Sequence, residues 1–232
     1  MSEKKATETG VLVFAATFPT AAAWVYFVQF SGESWMLPLG ALSKIVQFGL
    51  PAAWVWLVLR QRPKIRGVSR EGLLFGALSG LGILAACLGL YYGHLKHHPA
   101  FKDAPAALGE KLAGLGGDSL GGFLVIAVFY SVIHSFLEEY YWRWFVYGRA
   151  RSYLGPPLAN LLSSLAFMAH HVVVINAFLP DDYFWSATMP LSLCVAFGGM
   201  IWSALYELKG SLYGAWLSHA LVDVSIMICG YD

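Results

Sequence analysis

Seven mostly apolar stretches follow one another along the chain, at roughly 11–30, 39–59, 72–93, 119–147, 158–179, 189–206 and 211–229. A helix crosses a bilayer with about 20 apolar residues, so each stretch is long enough, or nearly so, to span. The pattern predicts an all-α, polytopic bundle of about seven transmembrane helices, with the third and fourth separated by a longer loop and the sixth the shortest. The first run follows Lys4 and Lys5 in the manner of a signal peptide. It continues past Ala21-Ala22-Ala23 into Trp24-Val25-Tyr26-Phe27, beyond the about 7–15 residues of a signal core, and reads as a retained first span. Pro156 and Pro157 suit the first turn of the fifth. Within 94–118, residues 104–115 suggest an interfacial helix, and His94, Lys96, His97 and His98 read as a polar loop rather than a metal site.

Basic residues in the short loops set the expected orientation. Arg60, Arg62, Lys64, Arg66 and Arg70 follow the second span, Arg149 and Arg151 the fourth, and Lys209 the sixth, whereas Asp181 and Asp182 follow the fifth. These place the N-terminus in the cytoplasm and the C-terminus outside. Tyr91, Tyr92, Tyr153, Tyr183, Trp185 and Tyr213 fall near span ends and suit an interfacial aromatic belt. Three glycine pairs at four-residue spacing, Gly76/Gly80, Gly89/Gly93 and Gly117/Gly121, are candidate close-packing points.

Composition agrees. The chain is 58% hydrophobic and only 12% charged, against about 25% charged in soluble domains, and its mean hydropathy is +0.59. No basic cluster with interleaved aromatics points to nucleic acid. Cys87, Cys194 and Cys229 lie in apolar runs without paired spacing and read as small buried hydrophobes. No internal repeat or soluble second domain interrupts 1–232, which reads as a single membrane domain.

Against this background, ionisable residues inside the spans stand out, because charge at membrane depth is costly and usually functional. Glu138 and Glu139 are adjacent, and Arg143 lies four residues after Glu139, in the favoured acid-before-base order. Helical rotation of about 100° per residue turns Glu138 away, with His134 and Trp142 as its i±4 neighbours. One carboxylate is thus neutralised and the other left for chemistry. His170, His171, His219 and Asp223 lie in later spans. At 1.5 Å per residue, Glu138, His219 and His171 sit about 14, 12 and 20 Å from the cytoplasmic ends of their helices, so three helices can converge on one polar pocket. His219 and Asp223 share a face, and Asp223 is placed to orient the imidazole. Phe167 shares a face with His171. His170 and His171, being adjacent, are expected to face different ways.

The ordered set Glu138-Glu139-x-x-x-Arg143, Phe167-x-x-x-His171, His219-x-x-x-Asp223 resembles the CPBP family of CaaX proteases and bacteriocin-processing membrane proteins, the ABI glutamic intramembrane endopeptidases. The resemblance covers roughly 119–232 and marks it as a catalytic core behind an N-terminal three-helix part, 1–118. It implies that Glu138 is the general base on water, that His171 helps hold that water, and that His219 stabilises the oxyanion. Glu139, Arg143, Phe167 and His134 are supporting residues, and no cofactor is implied. The family usually has asparagine where this chain has Asp223. An asparagine amide donates to an oxyanion and an ionised aspartate does not, so Asp223 is either protonated or serves only to orient His219. The implied partners are the bilayer and a membrane-associated or lipidated protein or peptide; separately, the compact size and the absence of eukaryotic retention signals suggest a prokaryotic plasma membrane.

The residues themselves support the chemistry, since peptide hydrolysis needs a base, an activated water and oxyanion donors. No G-x-S-x-G or H-E-x-x-H signature offers an alternative nucleophile or zinc site, and Ser218 beside His219 cannot face it on a helix. Two other readings stand beside the protease. One is a metal enzyme using His134, Glu138, His171, His219 and Asp223. The other is a non-catalytic transporter, proton relay, scaffold or immunity protein built on the same fold.

Overall fold

The computed structural model describes residues 3–33, 35–62, 65 and 67–232; Lys64 and Arg66 of the basic loop lie outside the described residues. Seven helices long and apolar enough to cross a membrane run Ala6–Gln29, Met36–Val58, Arg70–His97, Leu120–Leu154, Pro156–Asn176, Asp181–Lys209 and Leu212–Tyr231. The architecture is all-α, with no strand among the described residues. The sixth span is longer than its apolar run, because a 3-10 turn (Asp181–Tyr183) and a π-helical stretch (Phe184–Thr188) extend it N-terminally. The expected interfacial helix is present as Ala104–Ala113.

The outside of the bundle is apolar, with Ile45, Leu57, Val125, Phe197 and Leu208 among its exposed side chains, and the inside is partly polar. This inversion suits lipid, where hydrophobicity does not drive helices together and close packing and hydrogen bonds must. Close packing is clearest between the third and seventh spans. A methyl group on Gly76 would lie 2.2 Å from the carbonyl oxygen of Gly214, and one on Gly80 would lie 2.8 Å from the Cα of Ser218. Gly89, Gly93 and Gly121 have nothing within 4 Å of such a methyl, so of the three glycine pairs only Gly76/Gly80 forms a helix crossing.

Hydrogen bonds fix the remaining contacts. Tyr141 donates to the carbonyl of Ala15 at 2.7 Å, joining the fourth span to the first. The Trp216 indole donates to the carbonyl of Val132 at 2.9 Å, joining the seventh to the fourth. Asn160 donates to the carbonyl of Met200 at 3.2 Å, joining the fifth to the sixth. The core behind these contacts is aromatic and includes Tyr141, Trp142, Phe145, Phe167 and Trp202.

The two ends of the bundle differ. At one end Arg149 pairs with Glu8 at 3.2 Å and Lys209 with Glu71 at 3.2 Å, while Arg151 pairs with Glu207. At the other end Lys96 pairs with Asp232, Asn176 donates to Asp181 at 2.9 Å, and the His98 ring meets Tyr183 edge-on. Arg70, beside Glu71, thus lies at the same end as Arg149, Arg151 and Lys209. Of the belt candidates, Tyr92, Tyr153 and Trp185 are exposed, whereas Tyr91 is buried in the bundle. Cys194 is exposed and Cys87 and Cys229 are half-buried, so the cysteines are not the buried core residues that the apolar runs suggested.

Candidate active site

The fourth span carries the acid pair and is locally irregular there. A five-residue α-helical segment, Ser135–Glu139, sits between π-helical stretches at Phe129–His134 and Tyr140–Tyr147. Wider turns of this kind recur at functional sites. They add a residue per turn and alter which side chains face inward. Here Glu138, Glu139, Tyr141, Trp142 and Arg143 are all buried.

Glu139 and Arg143 are paired as the spacing predicts, with Arg143 Nη1 3.0 Å from Glu139 Oε1. The guanidinium lies over the rings of Phe167 at 4.6 Å and Trp202 at 5.0 Å. Stacking on aromatic faces favours a desolvated arginine. Room for it comes from Gly199 of the sixth span, where an added methyl would stand 3.2 Å from Arg143 Nη2. Phe167 also contacts His171, at 4.5 Å between ring centroids.

The partner of His219 differs from expectation. Its Nδ1 is 2.8 Å from Glu139 Oε1, a hydrogen bond across two spans. Asp223 Oδ1 is 3.6 Å from His219 Nε2, too long for a hydrogen bond. Glu139, not Asp223, therefore orients this imidazole. One helical turn along the same helix separates Asp223 from His219, whereas Glu139 approaches from a facing helix. The ring is held flat against the Trp202 indole, with centroids 3.9 Å apart and planes 13° apart. Trp202 is fixed in turn by donating to Ser218 Oγ at 3.1 Å, and Ser79 donates to the same oxygen at 3.0 Å. Ser218 is thus a bracing residue rather than a nucleophile facing His219.

Glu138 has imidazoles on three sides. Its Oε1 is 3.6 Å from His170 Nε2 and 4.0 Å from His134 Nε2, and its Oε2 is 3.7 Å from His219 Nε2. His170 is the residue that sequence reasoning set aside. Adjacent Cα–Cβ bonds do diverge by about 100°, but an imidazole is long enough to swing back, and the two rings meet at 4.1 Å. Trp142 lies parallel to His170, with centroids 5.7 Å and planes 2° apart. The signal available beforehand was Trp142 itself, one turn from Glu138 and a flat surface for a second ring.

His171 has its Nδ1 2.9 Å from the carbonyl oxygen of Phe167. A carbonyl only accepts, so Nδ1 carries the proton and Nε2 keeps its lone pair. Glu138, His170 and His171 each offer a ligand atom within 4.8 Å of the others. That group can bind one water or one metal ion. Of the five-residue ligand set expected for a metal enzyme, Glu138 and His171 belong to this group, His170 completes it, and His134, His219 and Asp223 stand outside it.

Residues 120–225, just under half of the chain, match the family described as type II CAAX prenyl endopeptidase, Rce1-like. No curated protein and no solved structure matches the chain. The matched stretch contains Glu138, Glu139, Arg143, Phe167, His170, His171, His219 and Asp223. Over that stretch this multi-pass membrane protein is similar to the Rce1-like family of CAAX prenyl endopeptidases.

Proposed function

We propose that the chain is an intramembrane endopeptidase that hydrolyses a peptide bond of a membrane-associated, lipidated protein or peptide, with Glu138 as general base on water. The observation that carries this reading is the division of labour between neighbours. Glu139 is held by Arg143 and His219, while Glu138, only 3% exposed, faces imidazoles and no guanidinium. A water beside Glu138 gives it a proton and attacks the scissile carbonyl. His171 presents a lone pair to hold that water, and His170 completes the cradle. Glu138 then passes the proton to the departing amine.

His219 serves the oxyanion. Its Nδ1–H is committed to Glu139 Oε1 at 2.8 Å, so it donates from Nε2 as the imidazolium, the form that donates at both nitrogens. Asp223, 3.6 Å from Nε2, supplies negative charge where the family usually has an asparagine amide. Residues 119–232 form the catalytic core and 1–118 a supporting part. Arginine and lysine placement supports a cytoplasmic N-terminus.

Comparison of membrane peptides by mass spectrometry between wild-type and Glu138→Gln cells tests the reading and finds the substrate. An uncleaved precursor accumulating in the variant is expected; identical peptide profiles contradict it. The Glu138, His170 and His171 group favours one competitor, a metal hydrolase on the same residues. Stoichiometric metal in purified protein, with activity lost to chelator and restored by that metal, decides for the competitor.

A further inference from the structure

His219 serves an oxyanion only when its Nε2–H points at one place, and a single hydrogen bond does not ensure that. Its Nδ1 is held 2.8 Å from Glu139 Oε1, but such a bond weakens steeply only below about 120°. The ring plane therefore keeps freedom to tilt, whereas a donor to developing charge needs its aim within about 10–20°. The Trp202 indole supplies the missing restraint. It lies flat on the imidazole, with centroids 3.9 Å and planes 13° apart. Phe167 stands edge-on to the same imidazole, at 6.0 Å between centroids. A face-to-face contact resists tilt, the motion that the hydrogen bond permits.

The indole is itself anchored. Trp202 is buried, and Gly198, one turn earlier, leaves room for it: a methyl there would stand 3.2 Å from Trp202 Cη2. An indole N–H only donates, and that of Trp202 donates to Ser218 Oγ at 3.1 Å. Ser218 precedes His219 on the same helix, so the residue before the imidazole holds the ring on which the imidazole lies. Ser79 of the third span donates to the same oxygen at 3.0 Å. Its Oγ is also 3.1 Å from the carbonyl oxygen of Gly76, where the third and seventh spans cross. A phenyl ring in place of the indole would offer a face without this anchor. On the protease reading, in which His219 serves the oxyanion, we infer that Trp202 is a positioning residue that aims the Nε2–H of His219, held in register by Ser218 and Ser79. Ser79 lies outside the family match at 120–225, so the N-terminal part contributes to the chemistry as well as to the scaffold.

The test uses the purified full chain and a farnesylated reporter peptide, with kcat, KM and a melting curve in detergent for each variant. Trp202→Leu is expected to lower kcat about tenfold or more, a share of the about 100-fold that one oxyanion donor is worth. KM changes less than about twofold, because aim matters only in the transition state. Trp202→Phe keeps an aromatic face and recovers most of the loss. The indole also lies beneath the Arg143 guanidinium, at 5.0 Å, so the same change is made on His219→Gln to separate the two roles. With the aimed ring gone, Trp202→Leu costs less than about twofold there. The full loss repeated on His219→Gln marks a structural role and overturns the inference while leaving the protease intact. So does a wild-type kcat in Trp202→Leu, a loss carried by KM, or a Trp202→Phe as slow as Trp202→Leu. Ser218→Ala, which removes only the anchor, serves where Trp202→Leu does not survive purification, with a loss of about threefold expected on wild type and none on His219→Gln. Should His219→Gln cut too slowly to follow, the His219 ring protons decide. Shielded by the indole, they resonate upfield of the other histidines and move downfield in Ser218→Ala; an unmoved signal overturns the inference. A reporter that wild type leaves uncut ends the protease reading and this inference together.

Discussion

At the scale of single residues, the site depends on two adjacent glutamates having different neighbours. Glu139 is wedged between Arg143 at 3.0 Å and His219 at 2.8 Å, so its removal leaves a buried guanidinium and an unheld imidazole. Breaking such a buried pair costs about 3–5 kcal/mol. Glu139→Ala is therefore expected to lose both thermal stability and activity, as read by a melting curve in detergent beside a cleavage assay. Asp223 makes no hydrogen bond to His219, its Oδ1 lying 3.6 Å from Nε2, and its contribution is charge or donation near Nε2. Asp223→Asn, which installs the residue usual in the family that the chain resembles, is expected to keep cleavage within about tenfold of wild type, because an amide donor replaces what the carboxylate did indirectly. A loss of about 100-fold or more, the weight of a full oxyanion contact, shows instead that the aspartate itself is required. The acid pair, Arg143 and the last histidine were legible from charge at membrane depth and four-residue spacing. His170 was not, because residue rotation fixes where a Cα–Cβ bond points and leaves the reach of an imidazole undetermined.

Among elements, the helix crossings decide whether those residues meet. The third and seventh spans approach through Gly76, Gly80 and Gly214, and a methyl on Gly76 would fall 2.2 Å from a carbonyl oxygen. Gly76→Ala must push the seventh helix outward, and overpacking of this kind costs about 1–3 kcal/mol. Its melting temperature is expected to fall, and cleavage with it, since His219 rides on the displaced helix. Gly89→Ala, in the same span with open space around it, is expected to behave as wild type, and equal melting points for the two variants would contradict the crossing. Sequence spacing offered three glycine pairs of equal appearance. Which of them touches a neighbour depends on how the helices are rotated about their axes, and a hydrophobic run of about 20 residues leaves that rotation open. The π-helical stretches around the acid pair were likewise hidden, since their apolar pattern does not differ from that of an α-helix.

At the scale of the whole molecule, the number of spans was readable and most of their bounds to within about five residues, because lipid imposes a minimum apolar length on every crossing helix. The fourth span runs on to Leu154, past its apolar run, and the sixth begins earlier, its polar start at Asp181–Tyr183 interrupting the apolar run without interrupting the rod. Which end faces the cytoplasm is a separate matter, carried by the basic residues. With single cysteines introduced by Arg62→Cys and Asp182→Cys in a cysteine-free background, an impermeant thiol reagent is expected to label the second in intact cells and the first only after permeabilisation. The reverse pattern inverts the topology and moves the acid site toward the other leaflet.

The central claim is that Glu138 takes a proton from water while its neighbour Glu139 holds the site together. Single-turnover cleavage of a farnesylated reporter peptide by purified Glu138→Gln, beside its melting curve, tests this most directly. The account predicts a rate lower by about 100-fold or more, the usual weight of a general base, at an unchanged melting temperature. Cleavage by Glu138→Gln at the wild-type rate would contradict it.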